Sequence, residues 1–428
     1  MASSSTVASL WRANHIRMII IFTVSFIAWL VIPFFVQVPL QPVFQIIIFA
    51  VGPAVVVIGI SVFAILKYRK RFIEDKRHRT EFLTLTMEKF LNDLERESPT
   101  MFTSDNLVRA TNNYSDMLGS GGFGSVYKGT FSDGTVVAVK VLNGTFDERM
   151  EQQFMAEVAT IGKVRHLNLV RLIGFCIEKN TTALVYEYMS NGSLDKYLFR
   201  ENNKSLVFEK LHEIAVGTAQ GIAYLHEEYR ERIIHYDIKP ENILLDDSLH
   251  CKIADFGLAM LYNRDKSYVT MTRQRGTPGY AAPELWMPFP VTHKCDIYSF
   301  GIMLFEIIRR RRHYDANLPS IQQWFPRWVW IKFENKNLEE LITECGIEDN
   351  DKEKVKRMIK VALWCVQYRP DLRPKMSDVV KMLEGSMDVR EPSNPFQQLL
   401  EENHGIEASQ MDSSSDDDDL VVPSPHEL

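Results

Sequence analysis

Apolar residues are distributed unevenly along the chain, and their distribution sets one part of it apart. From Met18 to Leu66 there is no Asp, Glu, Lys or Arg, and this run is 49 residues long. One membrane-spanning helix needs about 20 apolar residues, so the run is long enough for two. Two prolines near its middle divide it. The pattern therefore predicts two transmembrane helices, at 18–36 and 44–66, that form a membrane anchor over residues 1–66.

The charges beside this run predict its orientation. Seven basic residues follow Leu66 within thirteen positions, two precede Met18, and the stretch 37–43 carries no charge. Because basic residues favour the cytoplasmic side, both ends of the anchor are expected there. A signal peptide or a single-span anchor is the alternative interpretation. Both interpretations place everything after Lys67 in the cytosol.

The segments on either side of the central part have their own character. Residues 67–112 begin with the basic cluster and predict a juxtamembrane segment, with a short amphipathic helix at 80–95. Residues 387–428 contain a run of four aspartates after three serines, which predicts a disordered acidic tail.

Composition and charge exclude several classes of protein. The chain has 428 residues, of which 46% are hydrophobic and 24% charged, as expected of a chain with a packed core. Its 49 basic and 55 acidic residues give a net charge of −6, so no nucleic-acid partner is expected. The five cysteines form no C-x-x-C pair, which argues against a disulfide-stapled ectodomain or a zinc ribbon.

A glycine-rich segment is the first sign of chemistry. Gly119, Gly121 and Gly124 have G-x-G-x-x-G spacing, which lets backbone amides approach a phosphate. Dinucleotide-binding folds share this pattern, but they require a crossover helix next, whereas residues 129–142 predict a β-hairpin. Lys140 then ends an apolar strand. It is either a solvated lysine or a phosphate-binding one.

Three further motifs follow in a fixed order. They are His235–Asn242 (H-Y-D-I-K-P-E-N), Asp255–Gly257 (D-F-G) and Ala282–Glu284 (A-P-E). Together with the glycine-rich segment and Lys140, they resemble the signature set of eukaryotic protein kinases. The resemblance covers about residues 113–386.

This resemblance implies an α+β, bilobal protein-kinase fold after the one or two transmembrane helices. A β-rich N-lobe is expected at about 113–190 and a helical C-lobe at about 191–386, with ATP between them. The D-x-K-P-x-N pattern at 237–242 is similar to that of serine/threonine kinases rather than tyrosine kinases.

The resemblance also implies a role for individual residues. Asp237 matches the residue that accepts the proton of the substrate hydroxyl. Lys140 matches the lysine that holds the ATP phosphates, Glu157 its ion-pair partner, and Lys239 a residue that stabilises the γ-phosphate. The implied ATP-binding residues are Leu118, Gly119, Gly121, Gly124, Val126, Ala138, Lys140, Tyr186, Glu187, Met189 and Leu244. The implied ligands of Mg²⁺, or of Mn²⁺ in its place, are Asn242 and Asp255. The implied supporting residues are Thr277 in the substrate-docking loop, Asp296 below the catalytic loop, and the ion pair of Glu284 with Arg373.

Finer motifs indicate a subfamily. The segments Leu184–Leu194 and Ala362–Val366 look like those of plant receptor-like serine/threonine kinases, in the leaf-rust-resistance branch or its relatives. Tyr236 stands where most kinases of this type have an arginine before the catalytic aspartate, so the chain resembles the non-RD type. That branch usually has a cysteine-rich ectodomain, and this chain is expected to lack one.

The expected function is that of a membrane-anchored kinase in plant signalling or defence. It would transfer the γ-phosphate of ATP to Ser or Thr of protein substrates, with the kinase domain on the cytoplasmic side of the plasma membrane. Expected partners are protein substrates, the lipid bilayer and receptor-kinase co-partners. Two alternatives stay open: a catalytically weak scaffold, and a truncated receptor that competes with full-length relatives.

Overall fold

The computed structural model describes most of the chain after residue 98. The described residues are 58–59, 61–70, 99–121, 124–142, 148–178, 181–199, 206–262, 276–287 and 290–397. The chain divides into two compact units, Met1–His78 and Arg79–Leu428. Residues 58–59 and 61–70 of the first unit are helical.

The predicted anchor falls mostly outside these residues. Within the described part of the chain, no helix is both long enough and apolar enough to cross a membrane. The predicted helix at 18–36, most of the one at 44–66 and the amphipathic helix at 80–95 lie outside the described residues. All three stay predictions.

The N-terminal half of the second unit is a six-stranded sheet with the strand order β1-β5-β6-β4-β3-β2. Its strands are β1 (Thr100–Met101), β2 (Met117–Gly121), β3 (Gly124–Thr130), β4 (Val136–Val141), β5 (Leu172–Glu178) and β6 (Thr181–Glu187). Two helices belong to this half, α1 (Ser104–Ala110) and α2 (Glu148–Ile161). The predicted hairpin is present, with β3 and β4 antiparallel from Ser125–Val141 to Thr130–Val136.

The apolar spacing of α2 directs a charged side chain toward the sheet. Phe154, Val158 and Ile161 recur at helical spacing and are fully buried, and Phe154 meets Phe175 of β5 edge-to-face at 6.0 Å. Glu157 lies one position before Val158 and is buried with them. Because the apolar face fixes the rotation of the helix, this carboxylate has a defined position near β4.

The C-terminal half is helical. Its helices are α3 (Asp195–Leu198), α4 (Phe208–Ala223), α5 (Lys294–Arg309), α6 (Ser320–Gln323), α7 (Phe325–Glu334), α8 (Leu338–Glu344), α9 (Lys352–Cys365) and α10 (Met376–Glu384). Every residue of α5 from Cys295 to Ile308 is buried, so this helix is the axis of the lobe. Gly301 permits the close approach of α9, since an added Cβ would lie 2.7 Å from the Cβ of Cys365.

Short strands on the surface of this helical half carry the loops of the site. They are β7 (Gly192–Ser193), β8 (Arg232–Ile234), β9 (Ile243–Leu245), β10 (Cys251–Ile253) and β11 (Met260–Tyr262). They form two small sheets, β10-β9-β7 and β11-β8. The loop between β8 and β9 contains the H-Y-D-I-K-P-E-N motif, and the loop between β10 and β11 contains D-F-G.

The folded unit extends beyond the boundary expected at residue 113. Strand β1 pairs with β5 in parallel, and Leu107 of α1 is fully buried. Phe102 stacks on Phe131 with ring centroids 4.9 Å apart, and the hydroxyl of Ser104 donates to Glu178 at 2.6 Å. Residues assigned to a juxtamembrane segment are therefore part of the N-lobe, because they complete its sheet and core.

The boundary expected at residue 387 also differs in the structure. Phe396 is buried and meets Trp324 edge-to-face at 4.8 Å. The amide of Gln367 donates to the carbonyl of Ser393 at 2.9 Å. Residues 387–397 thus lie on the helical lobe, held by this aromatic contact and this hydrogen bond. The rest of the predicted tail lies outside the described residues.

The predicted ion pair between Glu284 and Arg373 is present and fully buried. Nη1 of Arg373 lies 2.6 Å from Oε1 of Glu284, and Nη2 lies 2.9 Å from Oε2. The guanidinium also donates to the carbonyls of Gln367, Lys294 and Tyr368. It joins the A-P-E motif and the start of α5 to the loop before α10.

Removing this arginine is expected to destabilise the C-lobe strongly. Arg373→Ala would leave the buried Glu284 without a counter-charge, which typically costs about 3–5 kcal/mol. Urea unfolding followed by tryptophan fluorescence measures the effect. Arg369→Ala is the matched control, because its pair with Asp371 is exposed and such pairs contribute about 0–1 kcal/mol. Equal losses of unfolding free energy in Arg373→Ala and Arg369→Ala would contradict a stabilising role of the buried ion pair.

Candidate functional site

The sequence-predicted residues meet in one cleft between the sheet and the helical lobe. Its volume is 970 Å³. The predicted residues that line it are Leu118, Gly119, Gly121, Gly124, Val126, Ala138, Lys140, Glu157, Tyr186, Glu187, Met189, Lys239, Asn242, Leu244 and Asp255. Asp237 lies directly beside them, hydrogen bonded to Asn242. The structure therefore brings all the predicted site residues together.

A buried charge network forms the back of the cleft. Nζ of Lys140 lies 2.7 Å from Oδ1 of Asp255 and 3.2 Å from Oε1 of Glu157. Strand β4, helix α2 and the loop after β10 each supply one of the three charged groups. Because two carboxylates from different elements hold it, the ammonium group is fixed in the cleft rather than solvated at a strand end. The phosphate-binding interpretation of Lys140 is the one that fits.

The charges of this network follow from its burial. Lys140 is only 8% exposed, and burial alone would lower the pKa of its ammonium group. The carboxylates of Asp255 and Glu157 outweigh that effect and raise the pKa of Lys140 above its ordinary value. Burial would raise the pKa of Asp255, but Lys140 holds that pKa below the ordinary value. Lys140 is thus charged and Asp255 ionised at neutral pH.

Tyr186 adds a fourth group to the network. Its phenol donates a hydrogen bond to Oε1 of Glu157. Burial, and then the negative charge of Glu157, raise the pKa of Tyr186 well above its ordinary value, so the phenol keeps its proton. Burial likewise raises the pKa of Glu157, against the opposing effect of Lys140. Two donors therefore hold the carboxylate, one from β6 and one from β4.

The catalytic-loop carboxylate is fixed on both of its oxygens. Oδ1 of Asp237 accepts from the hydroxyl of Thr277 at 2.5 Å. Oδ2 lies 2.8 Å from Nζ of Lys239 and accepts from Nδ2 of Asn242 at 2.9 Å. Lys239 also donates to Thr277 at 2.6 Å. Asp237 is 5% exposed, so these contacts fix its carboxylate beside the residues that line the cleft.

The backbone below this carboxylate is held from α5. Oδ2 of Asp296 accepts from the amide of His235 at 2.8 Å, and Oδ1 accepts from the amide of Tyr236 at 2.8 Å. The buried His226 contributes a third contact, with Nε2 at 2.8 Å from Oδ2. Tyr236 has a φ of 67°, a left-handed conformation that costs energy in a non-glycine residue. The hydrogen bonds from the amides of His235 and Tyr236 to Asp296 hold Tyr236 in that conformation.

The upper part of the cleft fits a nucleotide. Gly119 and Gly121 line it, and an added Cβ at either position would meet no protein atom within 4 Å, so the backbone is open to a phosphate there. Val170, Met189 and Ala254 form a small buried apolar cluster against Tyr186 and Leu244. Such a cluster suits the flat face of an adenine ring. The residues present therefore fit ATP.

Sequence reasoning missed two members of that apolar cluster. Ala254 immediately precedes Asp255, so its position next to the D-F-G motif was an available signal. Val170 has no such signal, because it lies in a short loop and reaches the cluster through tertiary packing. Its amide donates to the carbonyl of Ile253 at 2.9 Å. This hydrogen bond brings the loop of Val170 against the end of β10, next to Ala254.

The oxygen donors in the cleft fit a magnesium ion shared with phosphates. Asp255 presents a carboxylate, and Asn242 directs its Nδ2 to Asp237, which leaves its amide oxygen as a cation ligand. In the described parts of the chain, no group of three or more His, Cys, Asp or Glu is arranged to hold a metal by itself. Mg²⁺ commonly takes one or two protein ligands together with substrate phosphates. Asn242 and Asp255 match that requirement.

Comparisons with known proteins found one matching family model and several similar proteins. Residues 113–383 match the family model described as protein tyrosine and serine/threonine kinase. A G-type lectin S-receptor-like serine/threonine-protein kinase of Arabidopsis thaliana is 45% identical over 322 residues, 74% of this chain and 39% of that protein. The rust resistance kinase Lr10 of Triticum aestivum is 43% identical over 320 residues, 73% of this chain and 50% of that protein.

A third relative shows the same partial overlap. A leaf rust 10 disease-resistance locus receptor-like protein kinase of Arabidopsis thaliana is 37% identical over 369 residues, 84% of this chain and 55% of that protein. This chain therefore spans about half, or less, of the length of these relatives.

Proposed function

Because the chain belongs to the protein tyrosine and serine/threonine kinase family, we propose that it transfers the γ-phosphate of ATP to serine or threonine hydroxyls of protein substrates. The predicted protein-kinase domain, with a sheet-rich N-lobe and a helical C-lobe, is confirmed, and its relatives are named as serine/threonine kinases. Plant receptor-like kinases are confirmed as relatives. The substrates, the membrane setting and the place in signalling are parts of the proposal.

The observation that carries the proposal is the position of Asp237. Its carboxylate is fixed by Thr277, Asn242 and Lys239 and lies beside the residues that line the cleft. A substrate hydroxyl that enters beside Thr277 would find this carboxylate within reach and give it the proton, as its oxygen bonds to the γ-phosphorus and the bond from that phosphorus to the leaving ADP breaks. Lys239, on the same carboxylate, is placed to balance the charge of the transferred group.

The opposite side of the cleft would hold the nucleotide. Lys140, fixed by Glu157 and Asp255, would hold the phosphates, and the backbone around Gly119 and Gly121 would cover them. Asn242 and Asp255 would bind the divalent cation that kinases of this family use, and we propose Mg²⁺. When bound, that cation neutralises phosphate charge. Phosphoryl transfer requires mainly positioning and charge neutralisation, which these residues supply.

The direct test is phosphate transfer by the full-length chain. The chain would be incubated with radiolabelled ATP, Mg²⁺ and a generic protein substrate, and the labelled amino acids would be identified after hydrolysis. We expect phosphoserine and phosphothreonine. Two results would contradict the proposal. One is label confined to tyrosine, and the other is transfer no greater than in a control reaction whose Mg²⁺ has been removed by a chelator.

We further propose that residues 1–66 anchor the kinase in the plasma membrane, with the kinase domain on the cytoplasmic side. The support is the uncharged run from Met18 to Leu66 and the basic residues that flank it. The relatives named as receptor-like kinases agree with a role in plant signalling or defence. A glycosylation acceptor introduced near residue 5 tests the topology. Glycosylation there would overturn the two-helix anchor.

Activity is expected not to require phosphorylation of the activation segment. Tyr236 stands where an arginine would receive that phosphate, and its phenol is uncharged at neutral pH and only 2% exposed. Combined Ser267→Ala, Thr270→Ala and Thr272→Ala substitutions are expected to leave transfer to a protein substrate within about threefold of wild type, a smaller effect than the ~1.5–3 kcal/mol that a hydrogen bond to a charged group contributes. A hundredfold loss would show that another cation, such as Arg273 or Arg275, receives a phosphate.

A further inference from the structure

The arginine cluster Arg309–Arg312 follows α5, and its last member reaches the active-site cleft. Nη2 of Arg312 lies 2.7 Å from Oε1 of Glu241, and Nη1 donates to the phenol of Tyr280 at 3.0 Å. The guanidinium carbon lies 4.0 Å from the ring centroid of Phe199. Three contacts from three separate elements thus hold the guanidinium, although the side chain is 48% exposed.

These contacts place Arg312 between the two loops that flank the acceptor site. Glu241 lies four residues after Asp237 in the same loop. Tyr280 lies three residues after Thr277, whose hydroxyl donates to Asp237. A peptide whose hydroxyl reaches Asp237 would therefore pass its neighbouring residues close to this guanidinium.

The carboxylates of the described residues that line the cleft are already paired with basic side chains. Among the described residues that line the cleft, the acidic ones are Glu157, Glu187, Glu241 and Asp255. Glu157 and Asp255 hold Lys140 at the nucleotide end, and Glu187 pairs with Lys252 at 2.8 Å. That leaves Glu241, which pairs with Arg312, as the acidic lining residue on the acceptor side, next to Asp237, which pairs with Lys239.

We propose that Arg312 determines substrate specificity: it occupies the Glu241 carboxylate and so selects against cationic residues beside the acceptor hydroxyl. A peptide arginine would have to displace Arg312 from Glu241 before it could bind that carboxylate. A peptide carboxylate could instead accept from the outer N–H groups of Arg312. Substrates are thus protein segments with acidic or uncharged residues around the serine or threonine. This inference rests on the proposed kinase activity.

The test compares peptides that differ only beside the acceptor. Three sets carry one serine with arginine, alanine or glutamate at each flanking position in turn, and the full-length chain phosphorylates them with ATP and Mg²⁺. For the wild type we expect kcat/KM for glutamate peptides to exceed that for arginine peptides by roughly tenfold at the sensitive positions, as like-charge juxtaposition predicts. Arg312→Ala should bring that ratio to within about twofold of one, because Glu241 becomes available to the peptide.

Matched variants separate charge selection from loss of loop structure. Arg311→Ala removes an exposed arginine that does not line the cleft and should keep the wild-type ratio. Arg312→Lys should keep most of it, since the charge remains. Glu241→Gln added to Arg312→Ala should slow the arginine peptides again. A general loss of activity cancels in the ratio, so an unchanged ratio in Arg312→Ala would overturn the inference.

Failure of the kinase proposal would be seen separately. If the wild type phosphorylates neither these peptides nor any protein substrate, the proposed function fails. Binding of the same peptides, labelled with fluorescein and followed by anisotropy, then decides the inference. The inference is supported if the wild type binds arginine peptides more weakly than glutamate peptides and Arg312→Ala removes that difference. It is overturned if the wild type and Arg312→Ala bind the arginine peptides equally well.

Discussion

Asp237→Asn is expected to reduce kcat for phosphate transfer by about 100-fold to 10,000-fold, the range that a general base contributes. Asparagine keeps the size of the side chain and can still contact Thr277 and Asn242. It cannot take the proton of the incoming hydroxyl, and its amide is neutral where Lys239 now meets a carboxylate. The binding of ATP should change little, because the contacts of Asp237 are on the acceptor side.

The measurement is initial-rate phosphate transfer at saturating ATP, with nucleotide affinity determined separately. Asp247→Asn is the matched control, since Asp247 is an exposed aspartate of the same lobe outside the cleft. It should transfer phosphate at the wild-type rate. Wild-type turnover by Asp237→Asn would show that the carboxylate is not the base, and it would favour a role of the chain as a scaffold.

Lys140→Met is expected to lower kcat/KM by about 100-fold or more, as removal of one preorganised charged donor does. Methionine has a similar length and an apolar character suited to the buried position. It leaves the carboxylates of Glu157 and Asp255 facing the cleft without the ammonium group between them. Glu157 would then keep only the phenol of Tyr186 as a donor in this network, and the phosphates would lose their fixed cation.

Lys128→Met serves as the control for this substitution. Lys128 lies on the neighbouring strand β3 of the same sheet, over the ring of Tyr188 at 4.8 Å. It should retain activity within about threefold, the value of a weak cation–π contact. Thermal unfolding of both variants checks that the domain still folds. Activity near the wild-type level in Lys140→Met would contradict the assigned role.

Motifs predicted the candidate site well because each one is short and local. The loop from His235 to Asn242 carries the proposed proton acceptor, a lysine and a proposed metal ligand within eight residues, so their nearness to one another follows from sequence spacing. The pairing of Lys140 with Glu157 was predicted from the resemblance to protein kinases, whereas periodicity by itself placed Lys140 at a strand end and Glu157 on a helix. The same reasoning placed the strands of the β3–β4 hairpin.

Contacts between distant segments could not be predicted in that way. Arg312 meets Glu241 across 71 positions of sequence, and nothing in the arginine cluster distinguished the member that turns into the cleft. The burial of Leu107 and Phe396 depends on surfaces that other elements create. Both residues lie in stretches whose composition indicated a linker and a tail. Local pattern therefore set the domain boundaries too far inward at both ends.

The parallel pairing of β1 with β5 has a consequence for anyone who shortens the chain. The amide of Phe102 donates to Phe175 at 2.8 Å, and Thr100 packs so closely on Gly174 that any side chain there would collide with its carbonyl. A recombinant fragment that starts where the family match starts, at residue 113, would lack this covering strand. The backbone groups of β5 would then form an open sheet edge that other molecules can join. Such a fragment should aggregate during purification, whereas one that starts before Pro99 should stay monodisperse.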